Sequence, residues 1–445
     1  MTAYDCQHVC ALRRRPESGT ALRRARRQHR RVPAGCRSYA AFGVLNTDTR
    51  APVTPDSLFH VGSVTKPCVA TAIMILVEQA AIELDAPVAR YLPELKLAGA
   101  PPRVTVRQLL SHTSGIDGDF FVDTGAGDDC LARYVERCSE IPLVCEPGAA
   151  YSYCNAGYCI LARIAERVTG TVWDALLRQS LFTPLGMAQA FTLAADIADR
   201  PAAVGHMEAD GQVKPIPAHV LPRALGPAGF TLMTTPAELV KLGRLLLDRG
   251  VASSRRRLLS EATVETMLAP AVALPDGAHW ALGWKLERWS GELVVSHDGG
   301  ASGQAANLWI VPRHRLIYAQ CANGGRSAEL HRELMGVLFA EYGLAEPVFP
   351  DPQEGAAVDL APYEGRFENI GITLDFTRED GGLKLHGVPK QYDAPPVDLI
   401  LRPLDRERFV TRMGGSSPIV MSFSQFDGDG VPRLFYAGRL HKRTG

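Results

Sequence analysis

The chain has 445 residues, 46% of them hydrophobic, enough to bury a large core and to divide into two or three folded units. Its 48 basic and 48 acidic residues cancel, yet residues 1–40 hold ten arginines against Asp5 and Glu17, so the remainder is acidic by eight. No run reaches the roughly 18 consecutive apolar residues of a membrane helix, and the Arg-rich start has no apolar leader region, which argues against a membrane span and a secretory signal.

As written, the protein is expected in the cytoplasm, with secretion open only if the start is mis-set. The ten cysteines form no C-x-x-C pair and no Cys/His clamp, so free or buried thiols in a reducing compartment are expected, with no metal and no cofactor.

Residues 1–37 show neither helical nor strand periodicity, and clusters such as Arg13-Arg14-Arg15 and Arg23-Arg24 read as a disordered basic arm. Their excess of Arg, Ala, Pro and Gly is what a shifted frame in GC-rich DNA yields. A start or frame error therefore ranks ahead of an arm touching nucleic acid or an anionic membrane, and ahead of a transit peptide. No nucleic-acid partner is expected.

A first strand is expected over residues 38–44. Val69 to Ala80 is apolar nearly all round, the pattern of a helix buried inside a domain. Further helices are expected from Gly157 to about Val168, stopped by Gly170, and from Pro236 to about Asp248, stopped by Gly250. After Ser290 the pattern turns to strands over residues 292–296, 306–311 and 316–321, followed by a helix over 327–342.

Helices in the middle and strands late predict an α+β fold, an antiparallel sheet flanked by helices. Residues 346–362, with Pro347, Pro350, Pro352 and Pro362, read as a linker. The short alternating runs beyond it predict a small all-β domain over residues 363–445.

The chemistry centres on Ser63-Val64-Thr65-Lys66. A serine is a poor nucleophile until a base takes its proton and donors receive the oxyanion. Three residues along a helix is close to one turn, so Lys66 falls beside Ser63, and the helix start offers Ser63 an unpaired N–H near the positive dipole end. Pro67 fits the first turn. Alone this spacing is weak, because a capping serine with a solvated lysine matches it as well.

Two further segments raise its weight. Tyr153-Cys154-Asn155 opens the second helix, where a tyrosine can shuttle a proton if cations lower its pKa. His297-Asp298-Gly299-Gly300 follows an apolar strand, and its glycines permit close backbone approach.

Together and in this order, the three segments resemble the serine β-lactamase and penicillin-binding superfamily. The nearest branch is the class C-like one, with its DD-carboxypeptidases, D-aminopeptidases, esterases and acyltransferases. Leu109-Leu110-Ser111-His112-Thr113-Ser114-Gly115, Pro184-Leu185-Gly186-Met187 and Gly226-Pro227-Ala228-Gly229-Phe230 strengthen the match, which covers residues 38–345.

The resemblance implies Ser63 as nucleophile, Lys66 as its base and Tyr153 as proton relay. It places Asn155 on Lys66 and the substrate, and His297 and Gly299 in the strand-borne motif. The backbone N–H groups of Ser63 and Gly300 would form the oxyanion hole. It also implies a lipocalin-like C-terminal domain and a structural role for His112; Cys154 reads as a small apolar filler and is given no role.

Where β-lactamases commonly carry Lys-Thr-Gly, this chain has His-Asp-Gly, losing a fixed positive charge. Asp298 would repel a carboxylate if it points into the site. The expected function is therefore a serine hydrolase of uncharged esters and amides, or of amine-bearing D-amino-acid amides and short peptides. The alternatives are an acyltransferase of the same fold, a β-lactamase, and a catalytically silent binding protein.

Overall fold

The three late apolar runs pair as antiparallel neighbours, as hairpin-forming runs separated by tight turns should. In the computed structural model, which describes residues 6–12, 37–97, 103–209, 212–216, 221–348, 358–391, 395–412 and 418–445, they form the centre of an eight-stranded sheet. Its order is Arg37–Ala41, Cys6–Leu12, Leu316–Ala322, Gln304–Val311, Glu292–Ala301, Lys285–Trp289, His279–Trp280 and Val272–Ala273.

One expectation is corrected. The segment Cys6–Leu12, assigned above to a disordered arm, is a strand paired in parallel with both Leu316–Ala322 and Arg37–Ala41. A parallel strand between two neighbours takes its hydrogen bonds from them and need not show the period-two alternation of a half-exposed strand. The Arg clusters of residues 13–36 lie outside the described residues.

Helices cover the sheet. Thr65–Glu78 is buried on every side from Thr65 to Leu76, as an apolar pattern without a polar face requires. Asn155–Thr169 packs beside it and ends at Gly170, whose φ of 69° is the left-handed stop that glycine adopts without strain. The opposite face is closed by Ser327–Ala340, which places Leu338 and Phe339 in a second core with Trp289 and Trp309. Cys68, Cys130, Cys138, Cys154, Cys159 and Cys321 are buried free thiols, and Cys145 is a half-buried one. Among the described residues no helix is long and apolar enough to cross a membrane.

The C-terminal strands, from Gly365–Glu368 to Leu440–Arg443, form a closed eight-stranded barrel in sequence order. Closure leaves no sheet edge, and phenylalanines at 367, 376, 409, 423 and 435 fill the interior with edge-to-face contacts. Val358, Leu360 and Tyr363 also pack on this core, so the barrel unit begins inside the stretch expected to be linker. Among its hydrogen bonds to the larger unit, Tyr153 N–H donates to Gly438 O (3.1 Å) and Leu440 N–H to Ser152 Oγ (3.1 Å).

Candidate active site

Ser63 sits in the short helical turn Gly62–Val64 that runs straight into Thr65–Glu78, so its N–H has no helical acceptor. The strand Glu292–Ala301 presses against this turn. A Cβ on Gly299 would lie 2.1 Å from Val61 O and 2.8 Å from Ser63 N, and one on Gly62 would lie 2.5 Å from Gly300 N. Gly229 closes the other side, its φ of 118° and absent side chain leaving room for the Gly62–Ser63 peptide. The backbone of Gly62–Ser63 is thus in close contact with that of Gly299–Gly300.

Lys66 is fully buried, and its Nζ meets Asn155 Oδ1 at 2.7 Å, Ala228 O at 2.5 Å and Ser63 Oγ at 3.2 Å. Burial, and next the charge of Arg439, bring its pKa from the ordinary lysine range down to about 7. A neutral amine has two N–H bonds and one lone pair. In that form, with Asn155 and Ala228 taking the two protons, the lone pair faces the Ser63 hydroxyl; in the charged form the third N–H donates to it.

Tyr153 precedes the helix Asn155–Thr169, and its ring centroid lies 4.7 Å from Lys66 Nζ and 5.1 Å from the Arg439 guanidinium. The condition that cations lower its pKa is not met: burial outweighs the lowering by the Ser63 hydroxyl and Arg439, so it stays a neutral phenol. Its buried Oη makes no hydrogen bond of regular geometry. His112 is structural, as expected. Its Nδ1 accepts from Cys154 N–H at 2.9 Å, and its ring lies 4.2 Å from that of Tyr153. Cys154 is buried, its thiol pushed up to about 12.

His297 Nδ1 lies 2.8 Å from Asp298 O, which assigns its proton there and leaves the buried Nε2 an acceptor without a partner. Burial, and then the charge of Lys66, lower its pKa to about 4, so it is neutral at physiological pH. Asp298 borders the cleft, but its carboxylate is turned away from it. Successive strand residues face opposite sides, and its Oδ1 accepts from Asn307 Nδ2 (2.7 Å) and Trp309 Nε1 (2.8 Å) on the far face.

All seven residues singled out in the sequence, Ser63, Lys66, Tyr153, Asn155, His297, Gly299 and Gly300, therefore converge. Ser63, Tyr153, His297, Gly299 and Gly300 line a cleft of about 410 Å³. Sequence reasoning missed three others. Trp280 forms a wall and Arg439 enters from the barrel. Asp119 bonds both Asn155 Nδ2 (2.7 Å) and the Arg439 guanidinium.

This geometry agrees with the comparisons. Residues 35–340 match the family model described as Beta-lactamase. Penicillin-binding protein 4 of Amycolatopsis lactamdurans is 42% identical over 346 residues, 74% of this chain and 90% of that protein. Esterase EstB of Burkholderia gladioli is 34% identical over 40% of this chain and 48% of its own length. The crystal structure of SurE with D-Leu aligns at a TM-score of 0.72 and 28% identity, covering 91% of this chain and 92% of that one. With the Ser63–Lys66 pair, the sheet and the family match in agreement, the chain belongs to the β-lactamase family of serine β-lactamases, penicillin-binding proteins and related esterases and peptidases.

Proposed function

We propose that the protein is a serine hydrolase that forms an acyl-enzyme at Ser63 on ester or amide substrates, short peptides with D-residues among them. The carrying observation is the environment of Lys66: two acceptors consume its N–H bonds and the third contact is Ser63 Oγ at 3.2 Å. In this reading Lys66 takes the Ser63 proton, Ser63 Oγ attacks the substrate carbonyl, and the N–H groups of Ser63 and Gly300 receive the oxyanion. Tyr153 Oη passes a proton to the leaving group, and His297 Nε2 accepts a hydrogen bond from the substrate. Water then attacks the ester and frees Ser63.

The relatives support the substrate class: one is named an esterase and one similar structure holds D-Leu. The test is intact-mass analysis of wild type and Ser63→Ala after brief exposure to a p-nitrophenyl ester, with released chromophore followed for a burst. An adduct on wild type, absent from the variant, is expected. Folded wild type that neither gains mass nor turns over would overturn the reading.

A further inference from the structure

Asp119 lies between the larger unit and the barrel, and backbone contacts set its place. Gly118 O accepts from Ala156 N–H (2.9 Å), and a Cβ on Gly118 would fall 2.5 Å from Cys154 Cα, so the chain here is pressed against the helix start that carries Asn155. Asp119 O accepts from Gln391 Nε2 of the barrel unit at 2.6 Å. The carboxylate, 14% exposed, receives Asn155 Nδ2 on Oδ1 at 2.7 Å and the Arg439 guanidinium on both oxygens.

Donors and acceptors along this row admit one arrangement. Arg439 has only donors, a carboxylate only acceptors, and the Asn155 amide one end of each kind. Nδ2 therefore goes to Asp119, and Oδ1 is left for Lys66 Nζ, 2.7 Å away. Turned over, the amide would aim an N–H at Nζ. A charged Lys66 would then face another donor, and a neutral one would spend its lone pair on Asn155 rather than on Ser63 Oγ at 3.2 Å. Asn155 is buried, so solvent does not relieve a wrong orientation.

We propose that Asp119 is a positioning residue for acylation, fixing which end of the Asn155 amide meets Lys66 and thereby keeping the Lys66 lone pair on Ser63. This rests on the acyl-enzyme reading above. In the step concerned, the Ser63 Oγ–H bond breaks, its proton joins the lone pair of Lys66 Nζ, and Oγ forms the bond to the acyl carbon. Asp119 touches none of the reacting atoms and acts through Asn155. The other groups around Lys66 do not titrate near neutrality. Burial holds His112 and His297 neutral, His297 down at about 4, and keeps the phenols of Tyr153 and Tyr158 and the thiols of Cys154 and Cys159 protonated. Beyond burial, the charges acting on Lys66 are Arg439, which lowers its pKa, and Asp119, which raises it.

The experiment follows the burst rate on a p-nitrophenyl ester from about pH 5 to 9. In Asp119→Asn, Arg439 claims the oxygen of the new amide, whose N–H then points to Asn155, so Asn155 must turn over to accept it. Acylation is expected to fall about 10- to 100-fold from the misdirected base. The pH midpoint should move below 7, since Lys66 loses both an acceptor and a nearby negative charge. Combining Asp119→Asn with Asn155→Asp restores the order of donors and acceptors, because a carboxylate at 155 accepts from both the new amide and Lys66. This double variant should recover most of the rate at high pH, with the midpoint moved above 7. An unchanged rate in Asp119→Asn overturns the proposal. So does a fall with the midpoint unmoved or raised, or a double variant no faster than the single, for Asp119 would then only pin its loop. With a normal wild-type burst these outcomes leave the acyl-enzyme reading standing; absence of that burst overturns both. Should Asp119→Asn not fold, the double variant decides: a burst supports the proposal, and a silent or unfolded double variant refutes it.

Discussion

Arg439 and Asp119, 320 residues apart in sequence, form an ion pair that joins the barrel to the cluster around Ser63 and Lys66. From Asp119 the contacts continue through Asn155 Nδ2, Asn155 Oδ1 and Lys66 Nζ to Ser63 Oγ. The barrel is therefore part of the site, holding the backbone of Tyr153 through Gly438 O and biasing Lys66 through the charge of Arg439. Such a chain is strong when every member is satisfied and costly when one is removed.

Acylation should rise with pH through about 7 and then level, because only the neutral Lys66 amine can take the Ser63 proton. The same shift has a stability signature. A lysine whose folded pKa lies below its unfolded value of 10.5 opposes folding fully below pH 7, and the penalty fades as pH rises towards 10.5. Lys66→Met is thus expected to abolish acylation while shifting Tm more favourably at pH 6 than at pH 10. Scanning calorimetry of both proteins at the two pH values checks the sign, and an equal shift at both would reject it.

Tyr153→Phe should separate leaving groups. A p-nitrophenolate departs without a proton, whereas an amide nitrogen must receive one, so the loss in kcat/KM should be much larger for the amide. A fall of about 100- to 10,000-fold is expected for the amide, the range for a general acid. Stability should change little, because Oη has no hydrogen-bond partner of regular geometry to leave stranded. Parallel kinetics on an ester and an amide of the same acyl group read the difference.

The parts of this arrangement legible in the sequence are those fixed by local geometry. Lys66 follows Ser63 by one helical turn, Tyr153 and Asn155 flank a helix start, and the glycines at 299 and 300 mark a close approach. The orientation of Asp298 was legible too, since period-two alternation turns it away if His297 faces the cleft. Arg439, Asp119 and Trp280 were not: each is a single residue whose role depends on how the barrel and loops dock, and no spacing encodes that. The strand Cys6–Leu12 was hidden for a related reason, its pairing resting on neighbours far along the chain.

Adjacent glycines should respond differently to one methyl group. Gly299→Ala drives a Cβ into Val61 O and the N–H groups of Ser63 and Val64, where only backbone could give way. A loss of about 1–3 kcal/mol in stability is expected from overpacking, and an acylation rate lower by about 100-fold from misplacing Ser63. At Gly300 the nearest atom to such a Cβ is Gln304 O at 3.6 Å, so Gly300→Ala should keep stability within about 0.5 kcal/mol of wild type. Chemical denaturation of the two variants measures the contrast, and equal losses would contradict the packing described.

The junction with the barrel carries its own titrating group. Asp117 is buried and accepts from Ile370 N–H of the barrel at 2.7 Å. Burial raises its pKa to about 6, against the lowering effect of that hydrogen bond and of Lys390 and Lys442, and Asp119 adds to the rise. For an acid whose folded pKa exceeds its unfolded value of 3.8, the native state holds the extra proton between the two. Its contribution to stability is therefore present below pH 3.8 and is lost as pH rises through about 6. Asn at this position keeps an acceptor for Ile370 N–H without the buried charge, so Asp117→Asn should raise Tm at pH 8 and have little effect near pH 4. If Asp117 instead stabilises the junction as a carboxylate, the variant will melt earlier at pH 8, and the assignment of its charge state would have to be reversed.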